Sequence, residues 1–290
     1  MPDALLRALD VQVRRKIDGL LQGEFRSTNL GPGIELAQVR RYEPGDDVRQ
    51  IEWNVTARTG EPHVRVQVAE RNLTTCVVLD SSPSMAFGTA DRRKADVAEG
   101  VLLALGHVAT TRGNQLRTLS FGGTEPKRSY LQPGRAGMLG VLRDIHRLRR
   151  SEGRPLWSLS DALHLVQAGL RPRSAIFIVS DFREEPEWKK PLMRLAQRHD
   201  IVAVEVRDPR EQELPDVGDV WLVDPETGNQ TRADTRDASL RRRFAEAAAA
   251  ERSEVRRIVR STGSDHVVLS TSGDWLRAFA TFLKMRTRRP

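Results

Sequence analysis

Three oxygen-bearing side chains, Asp80, Ser82 and Ser84, follow an apolar run in VVLDSSPSM, and a second apolar run, IFIVSD, ends in Asp181. Carboxylates and hydroxyls are the donors that hard divalent ions such as Mg2+ take, in octahedral geometry with water at the open positions. The same residues have a plain structural use, because an Asp or Ser after a strand caps the following helix by accepting one of its free N–H groups. On spacing alone the cap is the stronger reading of the first motif. Asp181 shifts the balance toward a site by repeating the pattern at a second strand end, where ligands of open α/β sheets collect.

The common catalytic frames do not fit. An aspartyl-phosphate enzyme places a second acid two residues after its nucleophile, where this chain has Ser82. A serine hydrolase turn reads G-x-S-x-G, whereas this one reads SPSM. The sequence contains no HExxH, no Walker A motif and no dinucleotide-binding glycine pattern after a strand. Its six histidines are scattered, with no His or Cys partner at ligand spacing, which assigns them to core or surface roles. A metal-dependent phosphohydrolase would have the two acids but lack carboxylates for a second ion. The reading is therefore non-enzymatic.

The formal net charge is +8, with Arg-rich clusters at Arg147, Arg149 and Arg150, at Arg241 to Arg243, and at Arg286, Arg288 and Arg289. These clusters support an alternative, a nucleic-acid-binding protein that contacts phosphates and ignores the acidic motif. Elsewhere acids and bases are interspersed, as in FAEAAAAERSEVRRIVR, the pattern of a solvated helix face. The lone cysteine, Cys76, sits in the apolar run TTCVVL and reads as a core residue. The N-terminal segment carries charges throughout and no stretch is long and apolar enough to span a bilayer, so a cytoplasmic protein without membrane insertion is expected.

The elements that must position the acids alternate. Residues 4–21 carry Leu5, Leu9, Val13, Ile17 and Leu21 at four-residue intervals and predict an amphipathic helix. In RRYEPGDDVRQIEWNVTAR, Pro44-Gly45 suits a type II turn, and Asp47 with Gln50 resembles a capping box. From Leu73 onward strands and helices take turns: TTCVVLD, QLRTLSFGG, SAIFIVSDF, IVAVEVRD and HVVLS are strands, and DVWLVDPETGNQTRAD is a hairpin about Thr227-Gly228-Asn229. Helices are expected in RRKADVAEGVLLALGHVATTRG, GMLGVLRDIHRLRR, SLSDALHLVQAGL, WKKPLMRLAQRHD, over 237–261 and in DWLRAFATFLKMR. This is an α/β pattern, a doubly wound and mainly parallel sheet over 73–290, preceded by a helical and β extension over 1–72.

Asp80-x-Ser82-x-Ser84 with Asp181 resembles the metal-ion-dependent adhesion site of von Willebrand factor type A domains. Together with RRYEPGDDVRQIEWNVTARTGEPHVRV, the motif resembles the family catalogued as domain of unknown function 58, from about Gly31 through Asp181. That resemblance implies a von Willebrand factor A-like fold and a role beside a MoxR-type AAA+ ATPase and other von Willebrand factor A-containing proteins in complex assembly or maturation. It also implies that Asp80, Ser82 and Ser84 ligate magnesium, that Asp181 binds directly or through water, and that a partner's carboxylate completes the octahedron. One departure stands out: the adhesion site needs a Thr where aligning Leu159, Ala162 and Leu163 puts Trp157. An indole cannot ligate a metal, which leaves Ser158 or Ser160 as the substitutes.

The extension offers two further roles. Tyr42 and Trp53 are suited to anchor it on the sheet, with Arg49 and Arg58 paired to Asp46, Asp47 or Glu52 as a latch. The same Arg, Tyr and Trp types are enriched at partner-binding hot spots.

Overall fold

The computed structural model describes residues 38–66, 74–111, 116–124, 126–130, 140, 157–171 and 173–287. The expected helix over 4–21, Arg147, Arg149, Arg150, Arg288 and Arg289, and the helix in GMLGVLRDIHRLRR apart from residue 140, lie outside them. The chain divides into two compact units, one within 21–72 and one that includes 73–290.

In the smaller unit, β1 (Gln38–Arg41) pairs antiparallel with β2 (His63–Val66), Val39 opposite Arg65. The intervening chain turns at Pro44-Gly45, where Asp46 N–H donates to the Glu43 carbonyl at 3.0 Å and Gly45 takes φ +114. A left-handed third residue is what a type II turn requires. Asp47 then caps a single 3-10 turn, Val48–Gln50, by accepting from Arg49 N–H at 3.0 Å, and α1 (Trp53–Thr59) follows.

Of the acids expected to pair with Arg49 or Arg58, Asp46 takes a different arginine. Asp46 receives both guanidinium nitrogens of Arg40, at 2.6 and 2.8 Å, and not Arg49 or Arg58. The tight turn is the cause, since it folds Asp46 back beside the strand that precedes it, while Asp47 is occupied as a cap. Trp53, expected as an anchor, is 70% exposed, and Tyr42 is half-buried.

In the larger unit six strands form one sheet in the order β10-β7-β6-β3-β4-β5. They are β3 (Thr74–Asp80), β4 (Leu116–Phe121), β5 (Lys127–Tyr130), β6 (Ser174–Ser180), β7 (Asp200–Arg207) and β10 (Asp265–Ser270). All neighbours are parallel except β5, which runs antiparallel to β4 at one edge. The chain builds β3, β4 and β5 outward on one side, then crosses back to place β6, β7 and β10 on the other. The switch point therefore falls between β3 and β6, whose registers pair Leu79 with Val179. A separate antiparallel hairpin, β8 (Asp219–Val223) with β9 (Gln230–Asp234), follows β7.

Helices cover both faces, which is why the central strands are apolar at every position and not only at alternate ones. One face takes Val78, Ile178 and Ala203 against α3 (Leu159–Gly169), α4 (Lys189–Ala196) and α5 (Ala238–Ser261), through Leu163, Leu192 and Ile258. On the other face α2 (Lys94–Thr111) packs with α6 (Trp275–Thr287), whose Phe279 meets Phe177 edge-on at 6.5 Å. Cys76 lies in the first of these cores with its thiol pKa pushed up to about 12 by burial, slightly offset by Arg117, so it is inert at neutral pH.

Gly100, inside α2, shows how close the second interface is. A methyl group placed there would stand 2.4 Å from the Trp275 ring. In an open helix Gly→Ala stabilises by about 1 kcal/mol, but overpacking of this kind costs roughly 1–3 kcal/mol. Gly100→Ala is expected to be net destabilising in urea unfolding, whereas Gly100→Ala with Trp275→Leu should recover part of the loss.

Candidate functional site

Because β3 and β6 are adjacent and parallel, their carboxyl ends deliver Asp80 and Asp181 side by side at the switch point. Asp80 is 2% exposed. Its Oδ1 accepts from Ser82 N–H at 2.9 Å, and its Oδ2 from the Ser180 hydroxyl at 2.6 Å. Burial first, and then the charge of Asp181, push its pKa up to about 6, with the Ser180 and Ser82 hydrogen bonds acting in the opposite direction.

The serines hold the turn that follows. Ser82 and Ser84 hydroxyls share a hydrogen bond at 3.0 Å, and Ser84 N–H donates to Glu226 Oε1 at 2.9 Å. Glu226 lies in the turn of the β8–β9 hairpin, so the hairpin tip reaches the serine loop. From the other side Gly122, at φ +83 just past β4, packs so tightly on Ser82 that a Cβ would meet its nitrogen at 2.4 Å. Gly122 N–H donates to the Trp157 carbonyl at 3.1 Å. Trp157 thus contributes its backbone to the edge.

Asp181 has a different partner from the one its motif suggested. Lys94, the first residue of α2, is 0% exposed, and its Nζ donates to Asp181 Oδ2 and Glu211 Oε1, each at 2.6 Å. Burial works to lower the ammonium pKa, but the charges of Asp181 and Glu211 outweigh it and the net shift is upward. Glu211 is held in turn by Arg183 at 3.1 Å and by Asp208 N–H at 3.1 Å. Asp208, fully buried after β7, accepts from Thr89 N–H at 2.8 Å, the Thr89 hydroxyl at 2.5 Å, Arg210 N–H at 2.9 Å and the Thr271 hydroxyl at 2.6 Å. Burial acts to raise its pKa, but the hydrogen bonds from Thr271 and Thr89 bring it below the ordinary value. Four strand ends, those of β3, β6, β7 and β10, are thereby bonded into one edge.

The backbone after β6 is bent to serve this edge. Phe182 takes φ +55, a conformation that non-glycine residues rarely adopt. Its N–H bonds the Ser180 hydroxyl at 3.0 Å and its ring packs edge-on against buried Trp188 at 5.3 Å, contacts that fix the turn. The bend brings Glu184 to accept from Leu159 N–H at 2.8 Å. Desolvation first, then the charges of Asp80, Asp181 and Glu226, raise the Glu184 pKa to about 7, against the Leu159 bond.

Set against the magnesium expectation, the donors are few. Ser158 caps α3, its hydroxyl donating to Asp161 Oδ2 at 2.8 Å and accepting from Asp161 N–H at 3.2 Å. Ser160 lies in the first turn of α3, half-buried. An ion held by Asp181 would sit beside an ammonium, and each unit of like charge at 4 Å costs about 4 kcal/mol at an effective dielectric of 20. What remains of the expected ligand set is one carboxylate and two hydroxyls, Asp80, Ser82 and Ser84, with the carboxylates of Glu226 and Glu184 bonded beside them to Ser84 N–H and Leu159 N–H. Among the described residues no group of three or more His, Cys, Asp or Glu has the arrangement of a metal site. Of the expected ligands, Asp181 is the one that does not fit a resident divalent ion while Lys94 holds it.

Three groups escaped the sequence reading. Glu184 and Glu226 do not end an apolar run and reach the edge only through the bend after β6 and the turn after β8. Lys94 did leave a signal: a cation at the first position of a helix opposes the macrodipole and needs acids nearby. Among the described cluster arginines, Arg241 pairs with Asp216, Arg242 with Glu246, and Arg286 with Asp200 and Asp265.

The family model described as "Protein of unknown function DUF58" matches residues 38–254, and the chain belongs to that family. Uncharacterized protein Rv1480 of Mycobacterium tuberculosis is 40% identical over 285 residues, 98% of this chain and 90% of its own. Among solved structures, the conserved hypothetical protein BatB from Bacteroides thetaiotaomicron is similar at TM-score 0.48 and 14% identity, over 75% of this chain and 100% of its own. A von Willebrand factor type A protein from Catenulispora acidiphila is similar at TM-score 0.35 and 15% identity, over 62% and 42%.

The Asp80 environment generates a pH test. A folded-state pKa of about 6 against an ordinary 3.8 means the folded protein binds the extra proton between those values. The contribution of Asp80 to stability therefore falls as pH rises through that window, by on the order of 2–3 kcal/mol. Asp80→Asn should lack this fall. Urea unfolding from pH 4 to 7.5 should show the variant gaining on the native protein as pH rises, and a pH-independent difference would count against the assignment.

Proposed function

We propose that this protein is a non-catalytic scaffold that docks a partner protein on the edge formed by Asp80, Ser82, Ser84, Glu184 and Glu226. One observation carries the reading: the chain folds its switch point, a bent strand end and a hairpin tip onto one small patch. The Ser82 and Ser84 hydroxyls bond each other across the loop. Asp80 is held in place by Ser82 N–H and the Ser180 hydroxyl.

The hairpin adds contact area of the kind protein interfaces use. Trp221 is 65% exposed and Val223 55%, and they point to the same side of β8. Oxygen acceptors dominate the patch, which suits a partner that presents N–H groups and Arg or Lys. Resemblance to the family makes a MoxR-type AAA+ ATPase, or another von Willebrand factor A-containing protein of the same assembly, the first partner to examine.

The test uses purified full-length protein with the purified ATPase, titrated by calorimetry. Asp80→Ala and the Ser82→Ala/Ser84→Ala pair are expected to weaken association tenfold or more, and Trp221→Ala to weaken it severalfold, while Arg257→Ala on α5 leaves it unchanged. Unfolding midpoints separate lost binding from lost fold. Folded edge variants that bind as tightly as the native protein would remove the docking assignment.

A further inference from the structure

The second acid of the edge is already occupied by a cation that belongs to the chain. Lys94 Nζ lies 2.6 Å from both Asp181 Oδ2 and Glu211 Oε1, with no exposed surface. Neither carboxylate is loose. Asp181 Oδ1 accepts from Arg183 N–H at 3.3 Å, and Glu211 Oε2 accepts from Asp208 N–H at 3.1 Å. Asp208 is itself fixed by Thr89 and Thr271. The ammonium therefore closes a ring of groups from α2, β6 and the loops after β7 and β10.

A lysine at this position is not explained by helix chemistry, because the first turn of a helix favours anions and burial disfavours any charge. Its role is explained by the acids. Asp80, Asp181 and Glu211 converge on a desolvated sheet end, and convergent carboxylates need a metal ion, a basic side chain or a retained proton among them. A divalent ion on Asp181 would have to displace the ammonium or endure its repulsion.

We propose that Lys94 is a built-in cation that takes the electrostatic place of a divalent metal at this edge, so that the edge is organised and competent without magnesium. Removing the positive charge leaves Asp181 without its buried cation near Asp80, Ser82 and Ser84, and leaves Glu211 with the half-exposed Arg183 alone. Carboxylates with hydroxyls are the donor set that hard cations take. Lys94→Gln, which keeps an N–H donor on a side chain one bond shorter, is thus expected to turn the edge into a cation site that the native chain does not have.

Calorimetric titration of the full-length protein with manganese and with magnesium tests this directly. Native protein should show no saturable binding at millimolar ion. Lys94→Gln should bind manganese at least tenfold more tightly, and Lys94→Gln/Asp181→Asn should lose that gain. Saturable magnesium binding by native protein that Asp181→Asn abolishes would overturn the proposal, and so would a folded Lys94→Gln protein that takes up no manganese. Should Lys94→Gln fail to fold, the native titrations alone decide. A second arm rests on the docking reading above: association with the ATPase should be the same in magnesium and in chelator. Failure of all association would refute the docking reading and leave the ion titrations standing, whereas association abolished by chelator would overturn the built-in cation.

Discussion

Acidic side chains gathered at the dry end of a parallel sheet must be neutralised, and one buried ammonium does most of this. Removing a carboxylate or an ammonium from water costs several kcal/mol per ion, and the attraction between them repays it only when geometry is good and the remaining lone pairs are filled. The Lys94 contacts meet both conditions, at 2.6 Å to each of two carboxylates that have further donors of their own. This interaction ties the start of α2 to the end of β6 and to the turn after β7. The placement of the serine loop depends on those same strand ends staying together.

The edge is then shaped by backbone. The switch between β3 and β6 makes Asp80 and Asp181 neighbours, and Gly122, which admits no side chain against Ser82, lets the end of β4 press against the serine loop. Phe182, held left-handed by its contact with Trp188, turns the next residues toward the loop before α3. The hairpin supplies Glu226 across 142 residues of sequence. A patch built from so many strand ends and fixed by hydrogen bonds is stiff, and stiffness favours recognition because less ordering is needed on binding.

Much of this was legible in the residues. Two apolar runs ending in Asp announced both the parallel sheet and the edge at which the two acids meet, and the hairpin about Gly228 was readable from its turn chemistry. What the sequence concealed was pairing at a distance. RRKADVAEG reads as a solvated helix start, yet Lys94 within it is fully buried, on partners that lie 87 and 117 residues away. The same blindness applies to Asp46, whose partner is Arg40 on the strand behind it and not the arginines that follow. Local patterns report caps, turns and faces; they do not report which acid meets which base once strands are sorted into a sheet.

The central claim is that a protein-borne charge, and not a metal ion, organises this edge, and nitrogen-detected NMR of lysine ammonium groups measures it most directly. A buried Nζ bonded to two carboxylates should give a Lys94 ammonium signal protected from hydrogen exchange at neutral pH, one that Lys94→Gln removes and that millimolar magnesium leaves in place. A Lys94 signal that is absent, or that moves saturably as magnesium is added, would contradict the account.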